Sequence, residues 1–124
     1  MSERNKEILI EYIEKVWNDG NVSLIDQFAH PDYHARGLRL DGTVNGFDGI
    51  KQNVLGTRDT IVGLKVIFKD IIAEGNKVAS RIVITGTNVE SGRNVIIDEM
   101  MIHEFVNEKI KRVWSIGSEQ KETN

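Results

Sequence analysis

The chain has no cysteine, which excludes a disulfide, a thiolate nucleophile and a cysteine-based metal site. That composition fits a reducing cytoplasm, and we expect the protein there. No apolar run approaches the ~18 residues of a membrane span, and the N-terminus is charged rather than signal-like. The protein is therefore expected neither to cross nor to bind a membrane. A basic block is also missing, and the net charge is −3. Nucleic-acid binding normally needs a concentrated basic patch, so that class is set aside. The three histidines are scattered, without the HxH or HxxxH spacing of a metal site. Gly46-Phe47-Asp48-Gly49 lacks the lysine and the glycine spacing of a phosphate loop. Internal repeats and low-complexity tracts are absent.

What is present is an ordinary globular composition over 124 residues. This length suits one domain spanning residues 1–124 with a real core. The polar tail from about Glu119 is expected to fray.

Residues 4–18 place Ile8, Tyr12 and Val16 four apart, with Leu9, Ile13 and Trp17 beside them. This spacing predicts an amphipathic helix with a broad apolar stripe, stopped at Gly20. Asn21 or Ser23 can cap a short second helix through Phe28, which the single proline, Pro31, ends. A strand is expected over Tyr33 to Leu40, a turn at Asp41-Gly42 and a short return at Val44. Gly46 to about Thr60 reads as a third helix, with Ile50, Val54 and Leu55 as its apolar stripe. Four strands then follow: 64–73, 77–88, 94–106 and 109–117. Glu74-Gly75-Asn76 and Glu90-Ser91-Gly92 supply two of the turns. Helices segregated from an antiparallel meander predict an α+β fold.

The last hairpin, with its turn at Asn107-Glu108, organises the rest. Pairing Val106 with Lys109 puts Ile97, Glu99, Met101, His103 and Phe105 on one face, joined by Ile110, Arg112, Trp114, Ile116 and Ser118. An apolar wall with a few polar groups is what a small-molecule pocket needs. A solvated sheet face explains the same charges, and a bulge near the turn would flip one strand's face.

Several runs resemble the SnoaL-like polyketide cyclase family of the nuclear transport factor 2-like superfamily. Glu14-Lys15-Val16-Trp17-Asn18-Asp19-Gly20-Asn21 resembles its first-helix ending, and Pro31-Asp32-Tyr33-His34 its entry to the first strand. Gly46-Phe47-Asp48-Gly49-Ile50 is similar to its third-helix entry. Ile72 to Ala79 followed by Arg81 is similar to the central hairpin, and Thr85-Gly86-Thr87 to the end of the next strand. Lys109-Ile110 and Trp114 are similar to the last strand. The resemblance spans nearly the whole chain. It implies a cone-shaped α+β barrel, with three N-terminal helices packed on a curved, mostly antiparallel sheet. It also implies a small-molecule cavity, homodimers through the sheet, and aldol-type ring closure without metal or organic cofactor. The family's acid/base aspartate falls four residues after the last-strand tryptophan, where this chain has Ser118, and the usual turn glycine before Lys109 is Glu108.

Two readings follow. In the first, a cavity protein acts on a small apolar or polyketide-like molecule by cofactor-free cyclase, isomerase or hydratase (lyase) chemistry. Glu99 and His34 are then the proton handlers. Glu99 is a carboxyl that burial would turn into an acid or base, and His34 an imidazole that can act near pH 7. Arg81 is a candidate anion holder, and Tyr12, Trp17, His103, Trp114 and Ser118 are candidate substrate contacts. His103 is expected opposite Arg112, at a salt-bridged rim. In the second reading the domain only binds a ligand or dimerises, as the serine at position 118 suggests. On the opposite sheet face, Met100, Ile102 and Val113 form the expected dimer patch.

Overall fold

A computed structural model describes residues 2–37, 43–118 and 120–123. Helix α1 (Ser2–Tyr12) buries Ile8, Leu9 and Tyr12, and runs on as a π-helical turn over Ile13–Asn18 that buries Ile13 and Val16. The apolar stripe is continuous across both. Gly20 ends this segment with φ +73°, a left-handed conformation suited to glycine. A 3₁₀ turn at Val22–Leu24 leads into α2 (Ile25–Phe28). Lys109 Nζ donates to the carbonyls of Asp26 and Gln27 at 3.1 and 2.8 Å, satisfying the open C-terminal end of this short helix.

Strand β1 (Ala29–Arg36) begins at once, earlier than the sequence suggests. Pro31 lies within it rather than before it. There the β1 ladder is broken between Ala29 and His34, so its missing N–H costs no sheet bond. The expected continuation through Leu40 and the turn at Asp41-Gly42 lie outside the described residues. Strand β2 (Thr43–Asn45) leads into α3 (Gly46–Thr60), which has the expected extent. Its buried stripe is Ile50, Val54 and Thr57, whereas Leu55 is exposed.

Four long strands follow: β3 (Ile61–Glu74), β4 (Lys77–Asn88), β5 (Asn94–Val106) and β6 (Lys109–Gly117). The sheet order is β2-β1-β6-β5-β4-β3, antiparallel except for the parallel β1–β6 pair. The tail is not frayed throughout. Strand β7 (Lys121–Thr123) pairs with Asn94–Ile96 of β5, because backbone pairing needs no apolar side chain. The side chain of Glu122 accepts from Ser91 Oγ and Asn88 Nδ2. Three helices thus pack against a curved, unclosed, mostly antiparallel seven-stranded sheet, a cone-like α+β fold. The core lies between the helices and the inner sheet face, with Leu9, Val16, Ile50, Val54, Val78, Ile97, Ile110 and Val113 at most 1% exposed.

The last hairpin turns at Asn107-Glu108 as expected, with Val106 opposite Lys109. A bulge then changes the register. Phe105 pairs with Ile110 but Glu104 pairs with Arg112, so Lys111 is an extra residue on β6. Every later side chain of β6 is reversed. Val113 and Ser115 face inward, and Arg112, Trp114 and Ile116 face out.

Candidate functional site

The inner face of β5 carries Glu99 and His103, 6% and 2% exposed. They sit about 13 Å apart along the strand, from the rise per residue. Both line one cavity with Tyr12, Ile13, Trp17, Asn53, Val66, Ile82, Ile84 and Met101. Its free volume is about 50 Å³, room for a few waters. Glu99 is accommodated by Gly117 directly opposite it, where a Cβ would come within 2.8 Å of the Glu99 Cγ.

The expectation that His103 is a rim residue facing Arg112 is wrong. The bulge puts Val113 opposite His103 and pairs Arg112 with Glu104, at 3.8 Å. Burial lowers the His103 pKa to about 3, so its ring is neutral at ordinary pH. Its Nδ1 is buried and has no hydrogen-bond partner among the described residues. An orphan buried polar atom costs stability, so it marks a place where a ligand atom or a water belongs.

Tyr12 and Trp17 are joined: Trp17 Nε1 donates to Tyr12 Oη at 3.3 Å. They are five residues apart, and the i→i+5 geometry of the π turn brings them onto one side. Burial raises the Tyr12 hydroxyl pKa to about 12, and Tyr33, on the inner face of β1, is raised well above its usual value by burial and by Tyr12. Both phenols are therefore neutral donors. Asn53 enters from α3, between Ile50, Val54 and Thr57 of the buried stripe. That helical spacing was the available signal for Asn53, a polar residue within an apolar face.

The other candidates lie elsewhere. On β1, Tyr33 and Ala35 face the core, which sends His34 to the outer side, where its Nδ1 meets Asn45 Oδ1 at 2.6 Å. Arg81 is also outside, with its Nε donating to Asp70 at 2.8 Å. Trp114 is 40% exposed on the outer face, not a cavity wall, because the bulge turned it out. Ser118 closes the β5–β6 ladder: its N–H donates to the Asp98 carbonyl at 2.8 Å, and its Oγ accepts from the Asp98 N–H at 3.1 Å. Glu99, His103, Tyr12 and Trp17 are thus brought together, and His34, Arg81, Trp114 and Ser118 are not.

A larger concavity, about 740 Å³, is on the outer sheet face around Met100, Ile102, Trp114 and Ile116. It is wide and almost wholly apolar, and lacks the buried titratable groups of the smaller cavity. We therefore place the candidate chemistry in the smaller one. Among the described residues no cluster of three histidine, aspartate or glutamate side chains is arranged to hold a metal ion. Nor is any described helix long and apolar enough to cross a membrane.

A family model described as SnoaL-like polyketide cyclase matches residues 7–121. No curated protein matches the chain. Solved structures do. TsrD from Streptomyces laurentii superposes with a TM-score of 0.82 at 19% identity, covering 95% of this chain and 91% of that one. A SnoaL-like polyketide cyclase from Agrobacterium tumefaciens gives 0.81 at 19% identity, covering 93% and 91%. AclR from Streptomyces galilaeus, to which a hydroxylase role is ascribed, gives 0.81 at 22% identity, covering 95% and 91%. At these identities the structures speak for the fold alone.

Proposed function

The chain belongs to the SnoaL-like polyketide cyclase family, and on that premise we propose that its inner cavity binds a small, largely apolar, carbonyl-bearing molecule and moves a proton on it without a cofactor. The observation that carries this reading is that a buried carboxyl, Glu99, and the orphan Nδ1 of His103 line the same mostly apolar cavity. Glu99 is the proton handler. His103 replaces His34 as its partner in this proposal, because His34 lies on the opposite sheet face. A histidine with a pKa of about 3 is a poor base at neutral pH. It serves instead as a neutral hydrogen-bond partner for the ligand's developing enol or alcohol oxygen. Tyr12, a neutral donor, and Trp17 orient the ligand, and aldol, isomerase and hydratase steps all fit this set.

The test uses an enolisable bicyclic aromatic ketone as substrate. Glu99→Gln should lower turnover by about 10²–10⁴-fold, the usual contribution of general acid–base catalysis. Turnover that persists in a folded Glu99→Gln/His103→Leu double variant would exclude the cavity.

A second reading has its own support. Ser118, at the family's aspartate position, is engaged with the backbone of β5. The cavity of about 50 Å³ is also far below the ~300–1,000 Å³ of typical ligand sites. A non-catalytic role would suit both facts, and with Trp17 held on Tyr12, a ligand larger than a few atoms requires the half-buried Met101 to move. Binding of the same ketone with no turnover of any enolisable substrate would favour this reading.

We further propose a homodimer through the outer sheet face. The bulge removes Val113 from the expected patch, since that residue is 1% exposed in the core, and puts Trp114 and Ile116 there instead. Cross-strand pairs place Ile72, Ala79, Ile102 and Trp114 in one row and Met100 beside Ile116 in the next. Ile72, Met100 and Ile116 are 70, 65 and 81% exposed. A contiguous apolar patch of this kind is unusual for a monomer. A second copy related by a two-fold axis would cover it with the same surface.

A further inference from the structure

The segment that carries Trp17 is held at its end by Arg58, which does not line the cavity, and by the backbone of Val66. In an α-helix, positions 12 and 17 point about 140° apart, at 3.6 residues per turn. The π turn over Ile13–Asn18 stacks them instead and leaves the carbonyls of its last residues open. Arg58, from the last turn of α3, closes two of these. Its Nη1 donates to the carbonyls of Trp17 and Asn18, both at 2.8 Å. The Asn18 side chain binds the edge of β3 at two points: Oδ1 accepts from the Val66 N–H at 2.7 Å, and Nδ2 donates to the Val66 carbonyl at 3.2 Å. Gly20 makes room for the guanidinium, because a Cβ there would lie 2.7 Å from Arg58 Nε.

We propose that Arg58 is a positioning residue for the cavity: it pins the open carbonyls of the π turn and thereby holds the Trp17 indole on the Tyr12 hydroxyl. The consequence is chemical. The Tyr12 oxygen accepts from Trp17, so its own proton is left to be presented to the cavity that Tyr12 lines. Arg58 thus acts through Trp17 and Tyr12, and selects ligands that bring an acceptor oxygen to that point. This inference rests on the reading of the cavity as a ligand site, but its main test does not.

That test is the Trp17 indole N–H signal in ¹H–¹⁵N correlation spectra of the ligand-free protein. The chain has two tryptophans, so Trp114→Phe assigns the two indole peaks. Tyr12→Phe marks where the Trp17 peak falls without its acceptor. Arg58→Met should move the peak toward that position, and Gly20→Ala, which crowds the guanidinium, should do the same. Arg58→Lys keeps the charge but loses the planar fork, and should move it part of the way. Ile110→Val, a modest core truncation away from the cavity lining, controls for general loosening and should leave the peak in place. An unmoved peak in folded Arg58→Lys, or in either other folded variant, overturns the proposal. A second readout is affinity for the bicyclic ketone, which should fall about tenfold in Arg58→Met, the worth of one hydrogen bond. No binding by the unmodified protein would count against the cavity reading and leave the spectral result standing.

Discussion

At the scale of single residues, His103 carries a measurable stability signature. Its native pKa of about 3 lies below the ordinary histidine value of 6.5, through burial alone. The unfolded chain therefore binds a proton that the folded one refuses as pH falls below 6.5. Stability should decline from there down to about pH 3, with a slope approaching 1.4 kcal/mol per pH unit from this residue. His103→Leu should flatten this acid limb in urea titrations. It should also raise stability at pH 7 by about 1 kcal/mol or more, because it removes an orphan buried nitrogen. An unchanged acid limb in that variant would show that the ring titrates freely in the native state. The sequence places Glu99 and His103 on one face, as found. The expectation that Glu99 lies deeper and His103 at the rim is wrong: His103 is the more buried of the two, because the bulge sets Val113 rather than Arg112 opposite it.

At the scale of elements, the last hairpin turn is strained. Asn107 and Glu108 have φ of 51° and 62°. Two-residue turns of this hand favour Asn-Gly, and asparagine tolerates the left-handed region better than glutamate does. Glu108→Gly relieves the second position. It loses an exposed ion pair to Arg4, of little value in water, and gains unfolded-chain entropy. The net expectation is a gain of about 0.5–1 kcal/mol, raising Tm by roughly 2–5 °C. A lower Tm would mean that the Arg4 contact outweighs the strain. Three residues beyond the turn, the bulge at Lys111 decides the orientation of β6. Deleting Lys111 would remove only the extra residue: Arg112 would still pair with Glu104 and Val113 with His103, so the rest of β6 would keep its orientation. We expect a cooperative thermal transition near the native Tm. Loss of that transition would show that β6 needs the twist of the bulge in order to pack.

At the scale of the whole molecule, the outer face is the outstanding feature. Ile102→Asp places a charge in the centre of the row formed by Ile72, Ala79 and Trp114. If the dimer forms there, light scattering should report twice the chain mass for the unmodified protein at micromolar concentration and a soluble monomer for the variant. A typical interface of this kind buries roughly 1,200–2,000 Å² in total. A monomeric unmodified protein would end the proposal and leave the apolar face to another partner.

The sequence by itself determined the order of elements, the extent of the third helix, the hairpin turns and the inner stripe of β5. Each follows from a local period or from a short polar turn between two periodic runs, physics that acts within a few residues. Four other features were decided only by the tertiary structure. The bulge, open as an alternative in the sequence, was decided only by packing, because β6 has apolar residues on both faces and alternation alone does not say which face is inner. The π turn is held by groups distant in sequence, Arg58 on the Trp17 and Asn18 carbonyls and the Val66 backbone on the Asn18 side chain, and no local pattern reports them. Likewise, β7 pairs through backbone groups that side-chain pattern does not report. His34 lies outside because Tyr33 and Ala35, its neighbours on β1, are taken by the core. The candidate site rests mainly on these non-local choices, whereas the fold rests mainly on local ones.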